Sequence, residues 1–166
     1  MKIVLILPRG GIYRRKTGAF PIFIRYSPLT LPSLVSLLPK EIDIDIKTYD
    51  EGVEDIDKEK IEADLIGITC VTGAAPRAYA YADYFRSRGI KVVMGGVHAT
   101  LLPDEAAKHV DAVITGLANE TWPQLIRDFK AGQMKKLYAA SDDFSYAGWP
   151  DPGRSINKGK KFISIN

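Results

Sequence analysis

Lys91-Val92-Val93-Met94-Gly95-Gly96-Val97-His98-Ala99-Thr100 is the stretch whose reading decides the fold. A short apolar, β-branched run ends abruptly at paired glycines, then meets small and hydroxyl-bearing residues. The run does not alternate between apolar and polar positions. Continuous apolarity over strand length is the pattern of a parallel strand covered on both faces. Three further runs, 3–7, 65–69 and 112–115, share that character. A fifth, 42–49, alternates: Ile42, Ile44 and Ile46 fall on one face, Asp43, Asp45 and Lys47 on the other. One-sided burial of that kind suits an edge strand.

Helical patterns lie between these runs. Thr30 reads as an N-cap before Leu31, Leu34, Val35 and Leu38, with Pro32 in the first turn and Pro39 as the stop. Residues 75–88 place Ala78, Tyr81, Ala82 and Phe85 on one stripe. Leu102-Pro103-Asp104-Glu105 opens a short helix with acids at its positive end and His109 near its negative end. Thr121 and Gln124 have capping-box spacing, and Trp122, Leu125, Ile126 and Phe129 follow as a core-facing stripe. Strand–helix alternation with short connections predicts an α/β fold: an open five-stranded parallel sheet, flavodoxin-like (Rossmann-like), of order 2-1-3-4-5, in three αβα layers. Residues 50–64 offer only a short helix near 57–63. From Leu137 onward the periodicity fades into an extended linker, and 162–165 resume a strand pattern.

Composition narrows the functional classes. The 166 residues are 46% apolar and 26% charged, which describes one globular domain. A single cysteine, Cys70, excludes a disulfide framework and any multi-cysteine zinc or iron–sulfur site within this sequence. No apolar run approaches the roughly 20 residues of a membrane span, and Pro8-Arg9-Gly10-Gly11 cuts short the signal-like start. A cytoplasmic protein with no membrane partner is the expectation. The formal charge of +3 conceals a local +5 over 9–25 and +3 over 151–166, on a body that is otherwise −5. That distribution is too narrow for a general nucleic-acid binder. The two basic segments either face phosphates or another surface, or are solvated loops.

In an open α/β sheet, ligands bind at the carboxyl ends of the strands. The segments that follow the strands are Pro8 to Ser27, Thr69-Cys70-Val71-Thr72-Gly73-Ala74, Gly95-Gly96-Val97-His98-Ala99-Thr100 and Gly116-Leu117-Ala118-Asn119-Glu120-Thr121. Glycines beside hydroxyls suit close approach of a large polar ligand to main-chain N–H groups. No Gly-x-Gly-x-x-Gly and no Walker-type lysine follows the first strand. Ile68-Thr69-Cys70 stands where a receiver domain needs its carboxylate. A compact flavin-phosphate loop is also missing.

Taken together, these segments resemble the N-terminal cobalamin-binding domain of the cobalamin-dependent radical S-adenosylmethionine enzymes. The resemblance spans residues 1–140 and rests on Leu7-Pro8, Ser27-Pro28-Leu29-Thr30-Leu31-Pro32-Ser33-Leu34, Ile66-Gly67-Ile68-Thr69-Cys70-Val71-Thr72 and Asp111-Ala112-Val113-Ile114-Thr115-Gly116. Its most specific piece is the Gly-Gly-x-His-x-Thr…Pro segment from Gly95 to Pro103. It implies cobalamin as cofactor, with Gly95 and Gly96 flooring a groove for the nucleotide tail. Substitution of either glycine by valine should then abolish binding while sparing the fold. Thr69, Thr72 and Thr115 are implied as hydroxyl donors. Pro8, Cys70, Val71, Val97, His98, Thr100, Gly116 and Leu117 complete the implied cofactor-binding set. For His98 the roles of cobalt ligand, tail contact and structural residue all remain open, and Cys70 is either packed or a ligand-facing thiol.

This sequence departs from the family in the loop after the fifth strand and in lacking the family's catalytic barrel. Leu117 and Asn119 stand where the family usually has acids. The Asp-x-His-x-x-Gly signature of other cobalamin domains is missing from the first loop, so the cofactor would be held base-off, its lower face covered by side chains such as Tyr13, Phe20, Phe23 or Tyr26. The family continues into a barrel that binds S-adenosylmethionine and a 4Fe-4S cluster through Cys-x-x-x-Cys-x-x-Cys. Residues 141–166 are accordingly expected to be a linker, with Trp149 against a neighbouring domain, and the start of that absent catalytic domain. The full protein would be a methyltransferase or cyclase; this chain alone would be no enzyme. Two competing readings are a flavodoxin-like interaction module without cofactor, and a small nucleotide or flavin enzyme, although no acid–base or nucleophilic constellation supports the latter.

Overall fold

The computed structural model describes residues 1–10, 28–141 and 150–152. Its elements are β1 (Lys2–Leu7), α1 (Thr30–Ser36), β2 (Asp45–Asp50), β3 (Leu65–Thr69), α2 (Ala75–Ser87), β4 (Lys91–Gly95), α3 (Val97–Leu101), α4 (Pro103–Ala106), β5 (Ala112–Thr115), α5 (Ala118–Lys130) and β6 (Leu137–Ala139). The strands form a six-stranded sheet of order β2-β1-β3-β4-β5-β6, every neighbouring pair parallel.

The predicted order is present, extended by one strand. β6 escapes sequence patterning because only Tyr138 of its three residues is buried. What makes it a strand is its register on β5, with Ile114 opposite Tyr138. The expected strand at 42–49 begins later, at Asp45. Ile42, Ile44 and Ile46 still pack against the core, so the alternation was a burial pattern longer than the ladder. Two expected caps are displaced. Leu29, not Thr30, is the N-cap of α1 and makes no side-chain cap. Thr121 lies inside α5, where its hydroxyl donates to Leu117 O at 2.9 Å, because the helix already starts at Ala118. The helix expected near 57–63 is a single 3₁₀ turn at Lys58–Lys60. The strand pattern at 162–165, Trp149 and most of the basic loop lie outside the described residues.

Alternation along the buried strands sends side chains into two cores. Val4, Ile6, Ile66, Ile68, Val92 and Met94 pack beneath α2, through Ala78, Tyr81, Ala82 and Phe85. Ile3, Leu5, Leu65, Val93 and Ile114 pack on the opposite face against Leu31, Trp122, Leu125 and Ile126 of α1 and α5. The sheet is therefore covered on both faces, as its continuous apolar runs require. No helix among the described residues is long and apolar enough to cross a membrane.

Candidate functional site

The carboxyl ends of the strands open into a cleft of about 380 Å³ between the sheet and the α1–α5 layer. Its sheet wall descends in rungs set by strand register. Thr69 and Gly95 are partners at the upper rung; Leu5, Gly67 and Val93 are partners one rung deeper. Two residues along a strand put the rungs about 6.5 Å apart. The opposite wall comes from Ser33 and Leu34 of α1, from Leu37 at its C-cap, and from Ala118 and Trp122 of α5. Trp122 is 2% exposed, and its Nε1–H donates to Leu34 O at 3.1 Å, tying the two helices together.

Glycines set the shape of the sheet wall, each in its own way. A Cβ on Gly67 would stand 2.6 Å from Leu5 Cδ2 and 3.4 Å from the Trp122 ring. A Cβ on Gly95 would meet Ile114 Cβ at 3.5 Å, an ordinary contact. Gly96 is different. Its φ is +92°, and a Cβ there would lie 2.7 Å from Thr69 Oγ1 and 2.9 Å from Cys70 O. The expectation that valine at either position spares the fold is therefore corrected for Gly96. Gly96 is demanded by the backbone itself, because L side chains avoid that conformation.

The residues expected at the site separate into groups. Thr69, Gly95, Gly96, Gly116 and Leu117 line the cleft. Val71, Val97 and Leu117 stand exposed on the edge above it, an apolar rim at the ends of β3, β4 and β5. Pro8 and Cys70 are buried, and burial pushes the Cys70 thiol up to about 11, away from thiolate chemistry. Thr115 is half-buried and does not line the cleft. Thr100 has a joining role: its hydroxyl donates to Gly96 O and accepts from Gly116 N–H, both at 3.0 Å, linking the turns after β4 and β5.

His98 is 1% exposed and sits in a polar network rather than facing the cleft. Its Nε2 lies 2.6 Å from Tyr79 Oη, and its Nδ1 lies 3.4 Å from Thr72 Oγ1. Tyr79 donates its hydroxyl to Glu105 at 3.0 Å. Its oxygen therefore accepts from His98 Nε2–H, which leaves Nδ1 to accept from Thr72. Burial first, and the Glu105 carboxylate second, push the Tyr79 phenol well above its ordinary range. His109, read from the sequence as a residue near a helix end, has side-chain partners as well. It stacks on Tyr79, ring centroids 4.0 Å apart, and pairs with Asp83 at 3.0 Å.

Sequence reading missed a carboxylate at the entrance to the first loop. Glu51, 5% exposed, follows β2 and accepts from Arg9 N–H at 3.1 Å and from Arg77 Nε at 2.9 Å. Burial opposes its ionisation, but the Arg77 and Arg9 hydrogen bonds outweigh that and hold it below the usual carboxylate range. Arg9, at the start of the basic loop, also stands 3.7 Å from Glu51 through its side chain. Gly67 was available in the sequence as a lone glycine inside an apolar strand, a mark of close approach. The α1 wall carried no comparable signal.

Comparison with known proteins agrees with this architecture. Residues 26–126 match the model of the B12 binding domain family. Bacteriochlorophyllide d C-8(2)-methyltransferase of Chlorobaculum tepidum is 38% identical over 114 residues, covering 69% of this chain and 25% of that protein. Bacteriochlorophyllide d C-12(1)-methyltransferase of the same organism is 35% identical over 131 residues, covering 72% of this chain and 28% of its own length. An uncharacterized methyltransferase of Pyrococcus horikoshii, PH0819, is 31% identical over 147 residues, covering 82% of this chain and 31% of its own. The chain thus spans about a quarter to a third of the length of these relatives. With a parallel 2-1-3-4-5 core, a glycine-cut cleft at its carboxyl edge and a family match across most of that core, the chain belongs to the B12 binding domain family.

Proposed function

We propose that this domain holds cobalamin for a radical S-adenosylmethionine methyltransferase, and that it works with a 4Fe-4S catalytic domain carried C-terminally on the same polypeptide or supplied in trans. The observation that carries the reading is the glycine-lined cleft beside an apolar rim: room for a tail and apolar surface for a broad ring, adjacent at the strand ends. When bound, cobalamin supplies a cobalt centre able to carry a methyl group. The chain's own residues bind and orient it. Gly95 leaves room in the cleft, Gly67 lets Leu5 and Trp122 pack at its base, and Val71, Val97 and Leu117 offer apolar surface to the ring. Thr100 fixes the two turns relative to each other. The buried His98 has a partner on each ring nitrogen, so it braces the turn after β4 rather than reaching the metal. With its tail held in the cleft, the cofactor would be base-off.

Anaerobic titration with hydroxocobalamin and methylcobalamin tests the binding. Saturable uptake with a base-off spectrum and a raised melting temperature is the expected result. No spectral change and no stabilisation would overturn it. The radical chemistry has its own test. The polypeptide that joins this domain to its catalytic partner should contain iron and acid-labile sulfide, and should cleave S-adenosylmethionine reductively to 5′-deoxyadenosine and methionine. A joined polypeptide without a cluster would sink that part alone.

A further inference from the structure

Thr72, His98, Tyr79 and Glu105 form a chain of hydrogen bonds with a fixed sense. Tyr79 has one hydroxyl proton, and it goes to Glu105 Oε1 at 3.0 Å. Its oxygen therefore accepts from His98 Nε2–H, 2.6 Å away, and His98 Nδ1 accepts the Thr72 hydroxyl proton at 3.4 Å. The chain begins at an exposed carboxylate on α4 and passes through a histidine that is 1% exposed. It surfaces again at Thr72, exposed beside Val71 on the turn after β3. The same histidine donates its main-chain N–H to Cys70 O at 3.1 Å, which holds that turn against the turn after β4. Only an acceptor at the Glu105 end gives the chain this direction.

Resting on the cobalamin reading, we propose that Glu105 is a positioning residue acting through Tyr79 and His98. It makes Thr72 a hydrogen-bond acceptor towards the corrinoid, and so selects carboxamide over carboxylate on the ring periphery. The Thr72 proton is committed to His98, and what its oxygen offers a ligand is lone pairs. This reverses the donor role expected of Thr72 from the sequence. A corrin carboxamide has N–H groups to give. The carboxylate left when that amide is hydrolysed has none, and its charged oxygen meets lone pairs instead. The discrimination is that of one hydrogen bond, about threefold to tenfold.

The chain has two histidines, so long-range proton–nitrogen correlation spectra of the isotope-labelled protein resolve their tautomers, with His109→Gln assigning the signals. His98 is expected to carry its proton on Nε2. Glu105→Lys puts an obligate donor at the end of the chain and should move that proton to Nδ1. Glu105→Gln keeps an acceptor and should restore the parent spectrum. Equilibrium titrations with cobalamin and with its b-, d- and e-monocarboxylic acids supply the second readout. At least one acid should bind about threefold to tenfold more weakly than cobalamin. Glu105→Lys and Thr72→Val should each close that gap, and Glu105→Gln should keep it. Both positions are exposed, so these variants leave the core intact. In a Thr72→Val background Glu105→Lys should change the gap no further, which separates its action through the chain from its charge. A proton on Nδ1 or on both nitrogens in the parent would overturn the proposal. So would an unchanged tautomer in Glu105→Lys, or a gap that Thr72→Val leaves intact. Equal binding of cobalamin and all its acids would overturn the selection and leave the cofactor reading standing. Failure of every corrinoid to bind would overturn both.

Discussion

Gly67 and Gly95 both face the cleft, yet substitutions there should behave differently. Gly95→Val adds its Cβ at ordinary contact distance from Ile114. It should leave the melting temperature within a few degrees of the parent and weaken cobalamin binding at least about tenfold. Gly67→Ala forces the buried Leu5 side chain aside. Overpacking of that kind costs about 1–3 kcal/mol, so denaturant titration should show the loss alongside weaker binding. Glu51 makes a pH-dependent prediction. Its carboxyl is held below the usual range, so its stabilisation is complete above the ordinary glutamate pKa of about 4.3 and fades as pH falls through the lowered native value. Glu51→Gln should cost about 1–3 kcal/mol near neutrality. Parent and variant should converge in acid, and a gap that persists at low pH would assign the loss to packing instead.

Among the elements, α1 and α5 depend on one hydrogen bond between residues 88 apart in sequence. Trp122→Phe removes the donor, strands Leu34 O and leaves a small void, for an expected loss of about 1–3 kcal/mol by denaturant unfolding. The same region shows where the sequence stopped being informative. Buried strands announce themselves through unbroken apolar runs, so β1, β3, β4 and β5 could be placed from composition alone. The turn after β4 was equally readable, since Gly95-Gly96 has few uses other than close approach and positive φ. β6 has one buried side chain in three residues, and only its pairing with β5 makes it a strand. The α1 wall is hidden for a related reason. Leu34 occupies an ordinary core position of an amphipathic helix and Leu37 its C-cap, and only the packing of α1 against Trp122 leaves them partly open to a cleft. Glu51 sits in an acidic, polar stretch, Asp50-Glu51-Gly52-Val53-Glu54-Asp55. Nothing local separates the one buried carboxylate from its solvated neighbours, because its partners Arg9 and Arg77 come from distant segments.

For the whole molecule, the parallel sheet fixes where binding energy can act. All strand ends that meet the cleft belong to one ladder, and both cores press against it, so a ligand seated there stabilises the folded state as a unit. At a ligand concentration about 100 times Kd, the gain is about 2.7 kcal/mol. One further consequence belongs to Trp122. Its indole forms part of the cleft wall, and the sequence has only two tryptophans. A corrin ring absorbs in the near-ultraviolet, where indole emits, so the domain contains its own optical reporter. With Trp149 replaced by phenylalanine, the remaining fluorescence should be quenched by energy transfer as corrinoid is added, following the same saturation curve as the absorbance change. Stopped-flow detection of that quenching would turn a wall of the binding site into a clock for cofactor arrival.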